Sequence, residues 1–184
     1  MDIRWRWTMP NWCNNTVTIY GPIKKIKQLH EAAQKGELLE AMAPIGDWDY
    51  NNAVNAWGTK WDISDENGLE YEEIADDRAS LSGWFDTAWG PPVQAYETFL
   101  NENTDCDVGG YYYEPGMAFC GYYSNGSEEH FDITGDSAWV AQNIPKAIDE
   151  EFGISENMEM WENEQEELST WMREGADKRE LVSQ

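Results

Sequence analysis

The stretch TVTIYGPIKKIKQLHEAA, residues 16–33, decides the fold class because it predicts a strand that leads directly into a helix. Its first five residues are β-branched or aromatic, which is typical of a strand, and Gly21 and Pro22 end that strand. Apolar residues then recur at helical spacing from Ile23 to Ala33, and lysines occupy the opposite side. The segment therefore predicts the opening half of a β-α-β unit.

The same signals predict further strands and helices outward from this stretch. The predicted elements are a hairpin or broken strand made of WDI (61–63) and LEYEEIA (69–75), a strand at 78–86, a helix through 93–100, a strand at 105–114, a return strand at 117–123 and a short strand at 130–134. Residues 44–61 are rich in turn residues and tryptophan, so we expect a long ordered loop there. From Ser137 onward the pattern is helical, with breaks at Pro145 and Gly153.

The predicted order is strand, helix, strand, strand, helix, strand, followed by an extra hairpin and a helical, acidic C-terminal extension. This order is the split β-α-β or ferredoxin-like plan, so we expect an α+β fold with an antiparallel sheet. We assign residues 1–8 to an N-terminal extension and residues 9–136 to the ferredoxin-like domain. Residues 137–184 form the acidic extension, which we expect to pack on the same domain.

The charge balance is very unequal, with 36 acidic against 12 basic residues and a formal net charge of −24. Proteins that bind nucleic acid directly present a cationic groove, whereas residues 36–135 contain only Lys60 and Arg78 against 21 acids. No apolar stretch approaches the roughly 18 residues of a membrane span. We therefore predict a cytoplasmic protein that contacts neither nucleic acid nor membrane directly and that holds no cofactor.

Four motifs stand out between residues 9 and 121. They are MPNWCNN (9–15), WGTKW (57–61), FDTAWGPP (85–92) and YYEPGMAFCG (112–121). In this order they resemble the YubB ferredoxin-like proteins of phages and enterobacterial plasmids, over about residues 9–125. The resemblance implies a ferredoxin-like fold, a usual start at Met9 and a mobile-element setting. It implies no activity, and the acidic segment after about residue 136 lies outside it.

The motif MPNWCNN is compatible with a metal ligand, a nucleophile or a packing role for Cys13. A catalytic thiol needs a base and electropositive surroundings, yet the chain has only His30 and His130 and a net charge of −24. Cys106 and Cys120 are far away in sequence, so the three cysteines form neither a disulfide framework nor a zinc pattern. We predict that Cys13 packs the first strand into an aromatic core and that the chain has no catalytic residue.

The tryptophans of these motifs are expected to fill the core, because aromatic residues supply much of the buried area of a modest domain. An alternative is a pocket for a small anionic ligand such as a nucleotide, formed where the WGTKW loop meets the TAWGPP turn. Its candidate residues are Trp57, Lys60, Trp61 and Trp89, and Lys60 would supply the positive charge.

The segment from Asp62 to Asp77 contains eight carboxylates and no basic residue. Its sequence DISDENG resembles part of an EF-hand loop, but placing Gly68 at the sixth position puts Ile63 and Ile74 where oxygen ligands are required. We therefore predict no metal site. A metal-dependent enzyme that uses these carboxylates, with Glu114 as a further candidate, is the weakest of the alternatives.

The net charge matches the phosphate charge on DNA of the protein's own length. A globule of 184 residues has a diameter of about 40 Å, and 40 Å of duplex DNA bears about 24 negative charges. We predict a non-enzymatic accessory protein of a phage or other mobile element, which mimics nucleic acid and inhibits a host or defence protein with a basic, nucleic-acid-handling surface. The candidate partner-binding residues are Asp62, Asp65, Glu66, Glu70, Glu72, Glu73, Asp76, Asp77, Glu159, Glu162, Glu166 and Glu167.

Overall fold

The computed structural model describes the backbone of residues 11–182 and the side chains of residues 11–173. The N-terminal extension predicted for residues 1–8, with Met9 and Pro10, lies outside the described residues. The strands are β1 (Trp12–Pro22), β2 (Glu70–Ala75), β3 (Arg78–Ala88), β4 (Asp107–Glu114), β5 (Phe119–Ser124) and β6 (Ser127–Asp132). The helices are α1 (Ile23–Ala33), α2 (Leu38–Met42), α3 (Tyr50–Trp57), α4 (Val93–Glu102), α5 (Ser137–Asn143), α6 (Lys146–Phe152) and α7 (Ile154–Val182).

The six strands form one antiparallel sheet in the order β2-β3-β1-β4-β5-β6. β1 and β2 lie on either side of β3, and the connection between them contains α1. β3 and β4 lie on either side of β1, and α4 connects them. Strands β2-β3-β1-β4 are thus the ferredoxin-like core, while β5 and β6 extend the β4 edge as the extra hairpin. The predicted α+β, ferredoxin-like fold is confirmed.

The core lies on the face of the sheet that the odd-numbered residues of β1 occupy. Side chains alternate between the two faces of a strand, and Val17 and Ile19 are accordingly buried while their neighbours are partly exposed. Helix α1 buries Ile26 and Leu29 in the same hydrophobic cluster, and α4 contributes Phe99. The 3.6-residue period of the helices and the two-residue period of the strand therefore bury one common set of side chains.

The expectation of a long loop over residues 44–61 is wrong in part, because Tyr50–Trp57 forms helix α3. The Asp49 carboxylate caps this helix by accepting hydrogen bonds from the backbone N–H groups of Asn51 (3.0 Å) and Asn52 (3.1 Å). Gly58 ends the helix in the left-handed conformation, with φ of 86°. An Asp before and a Gly after are both helix-end signals, and the turn-rich composition between them concealed the helix.

The predicted pairing of WDI (61–63) with LEYEEIA (69–75) is also wrong. Only Glu70–Ala75 is a strand, and it pairs with β3. Asp62 instead binds the start of α2, where its carboxylate accepts hydrogen bonds from the N–H groups of Leu39 (2.9 Å) and Glu40 (2.8 Å). A side chain that caps a helix so far away in sequence leaves no local signal, and α2 itself was not predicted.

The chain divides into two compact units, one ending at Asp132 and the other beginning at Ile133. In the second unit, the Glu162 carboxylate of α7 accepts hydrogen bonds from the N–H (2.9 Å) and the hydroxyl (2.7 Å) of Ser137, at the start of α5. The packing of this extension on the domain stays a prediction. Among the described residues, the helices include none that combines the length and the apolar character of a membrane span.

Candidate binding site

The motifs MPNWCNN and FDTAWGPP meet where β1 begins and β3 ends. The two strands pair antiparallel there, with Cys13 opposite Thr87 and Trp12 opposite Ala88. The buried amide of Asn15 joins them, because its nitrogen donates hydrogen bonds to the Cys13 carbonyl (2.8 Å) and to the Thr87 hydroxyl (2.8 Å). These contacts fix the backbone of one motif against that of the other.

Cys13 is fully buried in this pairing. Burial raises the pKa of its thiol far above the ordinary range, and the nearby charge of Glu114 raises that pKa further. The thiolate is the nucleophilic form, so a thiol that stays protonated at neutral pH is a poor nucleophile. This environment supports the packing role that the sequence predicts for Cys13.

Glu114 brings the fourth motif to the same end of the sheet and is fully buried. Its carboxylate accepts hydrogen bonds from the backbone N–H of Gly116 (3.1 Å) and from that of Met117. A Cβ atom added at Gly116 would lie only 2.5 Å from the side-chain nitrogen of Asn11, so the turn and the start of β1 approach closely. The carboxylate thus shapes the β4–β5 turn through backbone hydrogen bonds.

The WGTKW motif leaves α3 and reaches the end of β3. Thr59 is buried, and its hydroxyl donates a hydrogen bond to the Ala88 carbonyl (2.9 Å) while accepting one from the Ala88 N–H (3.0 Å). Trp57 is only 3% exposed, and its indole N–H donates to the Ala43 carbonyl (2.8 Å). Trp57 therefore belongs to the core and not to a ligand-facing surface.

The other three predicted pocket residues lie close together. The Nζ atom of Lys60 is 4.1 Å from the ring centroid of Trp61 and 5.2 Å from that of Trp89, which is within cation–π range. Trp89 has a φ of 72°, a left-handed conformation that costs a bulky residue about 1–3 kcal/mol. Its N–H donates to the Asn11 carbonyl (2.9 Å), so the strained backbone is held by the first motif.

Three further aromatic residues surround this group, and the pocket predicted from the sequence does not include them. The ring centroid of Trp12 lies 6.5 Å from that of Trp61, and the ring centroid of Tyr50 lies 6.2 Å from that of Trp89. The Trp48 indole N–H donates to the Lys60 carbonyl (3.0 Å). We call the six residues the Lys60 cluster: Trp12, Trp48, Tyr50, Lys60, Trp61 and Trp89.

Four rings of the Lys60 cluster are unusually exposed for aromatic side chains. Trp12, Trp48, Tyr50 and Trp89 show 45%, 53%, 43% and 42% of their surface. Contiguous exposed apolar surface on a folded domain is typical of an interaction site or a ligand-binding groove. The density of tryptophan and tyrosine over residues 44–61 is the sequence signal for Trp48 and Tyr50, but that composition by itself predicts an ordered loop and not an exposed cluster.

The predicted acidic residues fall into two groups. Asp62 and Glu162 are engaged inside the protein, as helix cap and as the partner of Ser137. Burial raises the pKa of Asp62 to about 6, although the backbone N–H groups of Leu39 and Glu40 act in the opposite direction. The other ten are exposed: Asp65, Glu66, Glu70, Glu72, Glu73, Asp76, Asp77, Glu159, Glu166 and Glu167. Over the part of the chain that the structure describes, no group of three or more His, Cys, Asp or Glu side chains could hold a metal ion.

A comparison with protein families gives a match that covers more than half of the chain. The model described as the ferredoxin-like domain in Api92-like protein matches residues 56–169. The matched range begins in α3, contains strands β2 to β6 and ends within α7, so it extends past residue 136 into the acidic helical segment. Searches of curated proteins and of solved structures found no significant match.

Proposed function

This chain belongs to the family of the ferredoxin-like domain in Api92-like proteins, and from that premise we propose that it is a non-enzymatic binding protein that presents a nucleic-acid-like row of carboxylates to a basic partner. The family description names a fold and no reaction. The proposal therefore depends on the charges and contacts of the exposed residues. Two of the residues considered for chemistry, Cys13 and Glu114, are buried and have structural environments.

The spacing of carboxylates along α7 is the observation that carries the proposal. Apart from Glu162, which binds Ser137, five exposed carboxylates lie on α7 from Glu156 to Glu167, a stretch of about 17 Å at 1.5 Å per residue. That is one negative charge per roughly 3 Å, close to the 3.4 Å spacing along one strand of duplex DNA. Helical periodicity puts these five on one side of α7, over slightly less than half of its circumference.

The β2–β3 hairpin supplies a second acidic stretch. Glu70 and Glu72 point to one face of β2, and Glu73 points to the other. Asp76 and Asp77 form the turn into β3, where both are exposed. Like charges placed this closely repel one another. A cationic surface that approaches the stretch offsets this repulsion and lowers the free energy of the protein.

Few of these charges are neutralised within the protein. Among the side chains of residues 11–173, two ion pairs join a carboxylate to a lysine or arginine: Arg78 with Asp107 (4.0 Å) and Lys146 with Glu150 (3.2 Å). Neither pair includes any of the ten exposed candidate acids. Their negative potential is therefore available to a partner.

Exposed apolar side chains on α7 could contact a partner in addition to the carboxylates. Trp161 is 62% exposed, Leu168 is 50% exposed and Trp171 is 70% exposed. Tryptophan is enriched among the residues that contribute most to binding at protein interfaces, whereas exposed charges mainly set the association rate and the choice of partner. A protein with a basic groove and apolar pockets beside it matches both features.

We further propose the setting that the four motifs suggest: an accessory protein of the YubB type, encoded by a phage or plasmid and acting in the cytoplasm of the host bacterium. Its partner would be a host or defence protein whose basic surface handles DNA or RNA. Occupying that surface would inhibit the partner by competition with its nucleic acid.

The test begins with crosslinking in host cells and identification of the captured protein by mass spectrometry. The purified partner is then titrated with the wild-type protein at increasing salt, with and without duplex DNA. We expect binding that weakens as salt rises and that DNA competes away, because both ligands would use the same basic surface.

A pair of matched variants separates the acidic face of α7 from net charge alone. E159Q/E166Q/E167Q removes three charges from α7, and E31Q/E97Q/E102Q removes three exposed charges from other helices. The first variant should lower affinity at least about 10-fold and the second much less. Equal affinity of the two variants, or binding that DNA does not compete with, would overturn the proposal.

A further inference from the structure

We propose that the Lys60 cluster is a binding site for a small planar aromatic molecule that carries an anionic group, such as a nucleoside monophosphate. This inference is independent of the acidic surface, because it concerns a different set of residues and a ligand of opposite charge to the proposed partner. It rests on three properties of the cluster: an uncompensated cation, exposed aromatic rings and a rigid scaffold.

Lys60 has no carboxylate partner among the described side chains, since none lies within 4.0 Å of its Nζ atom. In a chain with three acids for every base, the ammonium instead lies within cation–π range of both Trp61 and Trp89. Aromatic faces attract a cation without neutralising its charge, and the ammonium retains three hydrogen-bond donors. The site therefore keeps a positive charge that an anionic group can approach.

The exposed rings provide a stacking surface beside that charge. Trp89 and Tyr50 meet edge to face, with an interplanar angle of 71°. Trp12 and Trp61 form a second pair with their rings tilted by 41°. A planar ring stacks on an exposed aromatic face regardless of its hydrogen-bonding pattern, which suits a nucleobase or a similar heterocycle.

The cluster is held in place before any ligand arrives. The Thr59 hydroxyl fixes the loop to Ala88, and the Trp48 indole N–H holds the Lys60 carbonyl. The Asn11 carbonyl holds Trp89 in its left-handed conformation. A backbone that is fixed before binding loses little entropy when the ligand arrives, and a strained aromatic residue held at the surface is typical of a functional site.

Charge limits the size of the ligand. One lysine can match one anionic group, whereas a polynucleotide would bring many phosphates against a protein of net charge −24. At physiological salt the long-range repulsion is screened beyond about 8 Å, so a compact anion at Lys60 experiences mainly its immediate surroundings. The site thus selects a mononucleotide-sized molecule over a nucleic-acid strand.

The test uses the full chain at physiological salt and three probes: adenosine monophosphate, adenosine and ribose 5-phosphate. Calorimetry measures affinity, and the indole N–H resonances of Trp48, Trp61 and Trp89 report the location. We expect saturable binding of the monophosphate with a Kd below about 1 mM, at least about 10-fold tighter than either fragment.

Two variants and two controls separate the charge from the rings. K60Q should weaken the monophosphate about 10-fold and leave adenosine unchanged, whereas W89A should weaken both at least about 5-fold. K24Q on α1 and W84A on β3 remove an exposed lysine and an exposed tryptophan outside the cluster and should change neither. Any one of three results would overturn the assignment. They are no saturable binding by 10 mM adenosine monophosphate, a loss of affinity in the control variants equal to that in K60Q and W89A, and indole N–H shifts confined to tryptophans outside the cluster.

Discussion

The side chain of Thr59 and the backbone of Ala88 bind each other in both directions, the hydroxyl donating to the carbonyl at 2.9 Å and accepting from the N–H at 3.0 Å. This reciprocal pair replaces the strand partner that the last residue of β3 would otherwise need on that side. It also sets the distance between the loop that carries Lys60 and the turn that carries Trp89. One buried hydroxyl therefore positions two motifs that are almost thirty residues apart in sequence.

Replacement of Thr59 with valine should destabilise the protein by at least about 2 kcal/mol. Valine keeps the shape of the side chain but leaves the buried N–H and carbonyl of Ala88 without a partner, and each unsatisfied group costs about 1–3 kcal/mol. Urea unfolding followed by tryptophan fluorescence measures the loss. T104V, at an exposed threonine, is the control and should stay within about 0.5 kcal/mol of the wild type. A loss for T59V no larger than that of T104V would contradict the assigned role.

Much of the fold could be predicted from the sequence because it depends on local patterns. The alternation in β1 and the helical period of α1 are both visible within residues 16–33, and together with the order of later strands they determine the split β-α-β plan. The error at residues 61–63 falls where a distant contact decides the structure. Asp62 caps a helix more than twenty residues earlier, so its segment resembles a strand in sequence but is not one.

The candidate site was only partly predictable for the same reason. Lys60 and Trp61 are adjacent in the chain, so their proximity could be predicted. Trp57, the last residue of α3, is buried in the core. Trp89 adopts a backbone conformation normally occupied by glycine, and no sequence rule predicts that for a tryptophan. Trp12 and Tyr50 reach the site through tertiary contacts alone.

The three cysteines should resist alkylation in the folded protein, and Cys106 should react before Cys13. Burial raises the pKa of Cys106 to about 11, with Asp105 adding to the effect, whereas burial raises the pKa of Cys13 considerably more. Because the thiolate is the reactive form, iodoacetamide at pH 8 should modify Cys106 before Cys13. Mass spectrometry of the digested protein measures the order, and all three should react quickly in urea. Rapid modification of native Cys13 would show that the strand pairing around it opens.

Asp62 should make the folded protein more stable as pH falls from about 6 toward 4. Its pKa is raised from 3.8 to about 6, mainly by burial, so the folded state binds a proton in a range where the unfolded chain has lost it. The free energy of unfolding therefore falls as pH rises through this window. After allowance for partial exposure, the change in the free energy of unfolding due to Asp62 is about 1–2 kcal/mol.

The measurement compares urea unfolding of the wild type and D62N at pH 4.5 and pH 7. The free energy of unfolding of the wild type, relative to that of D62N, should fall by that amount at the higher pH. The same comparison with D65N, at an exposed position, should show no such trend. NMR titration of the Asp62 carboxyl gives an independent check. A midpoint at or below 3.8 would mean that the N–H donors of Leu39 and Glu40 outweigh burial.

Replacement of Ala118 with glycine should stabilise the turn that Glu114 closes. Ala118 has a φ of 58°, and the left-handed conformation costs an alanine about 1–2 kcal/mol through its Cβ atom. Glycine removes that cost but adds about 0.5–1 kcal/mol of chain entropy to the unfolded state, so the net gain should be up to about 1 kcal/mol. Urea unfolding measures it, with A75G as the matched control, because Ala75 lies exposed in β2 and its replacement should lose about 0.5–1 kcal/mol. If A118G loses stability as A75G does, contacts of the Ala118 methyl group outweigh the backbone strain. The shape of this turn then depends on packing as well as on the Glu114 hydrogen bonds.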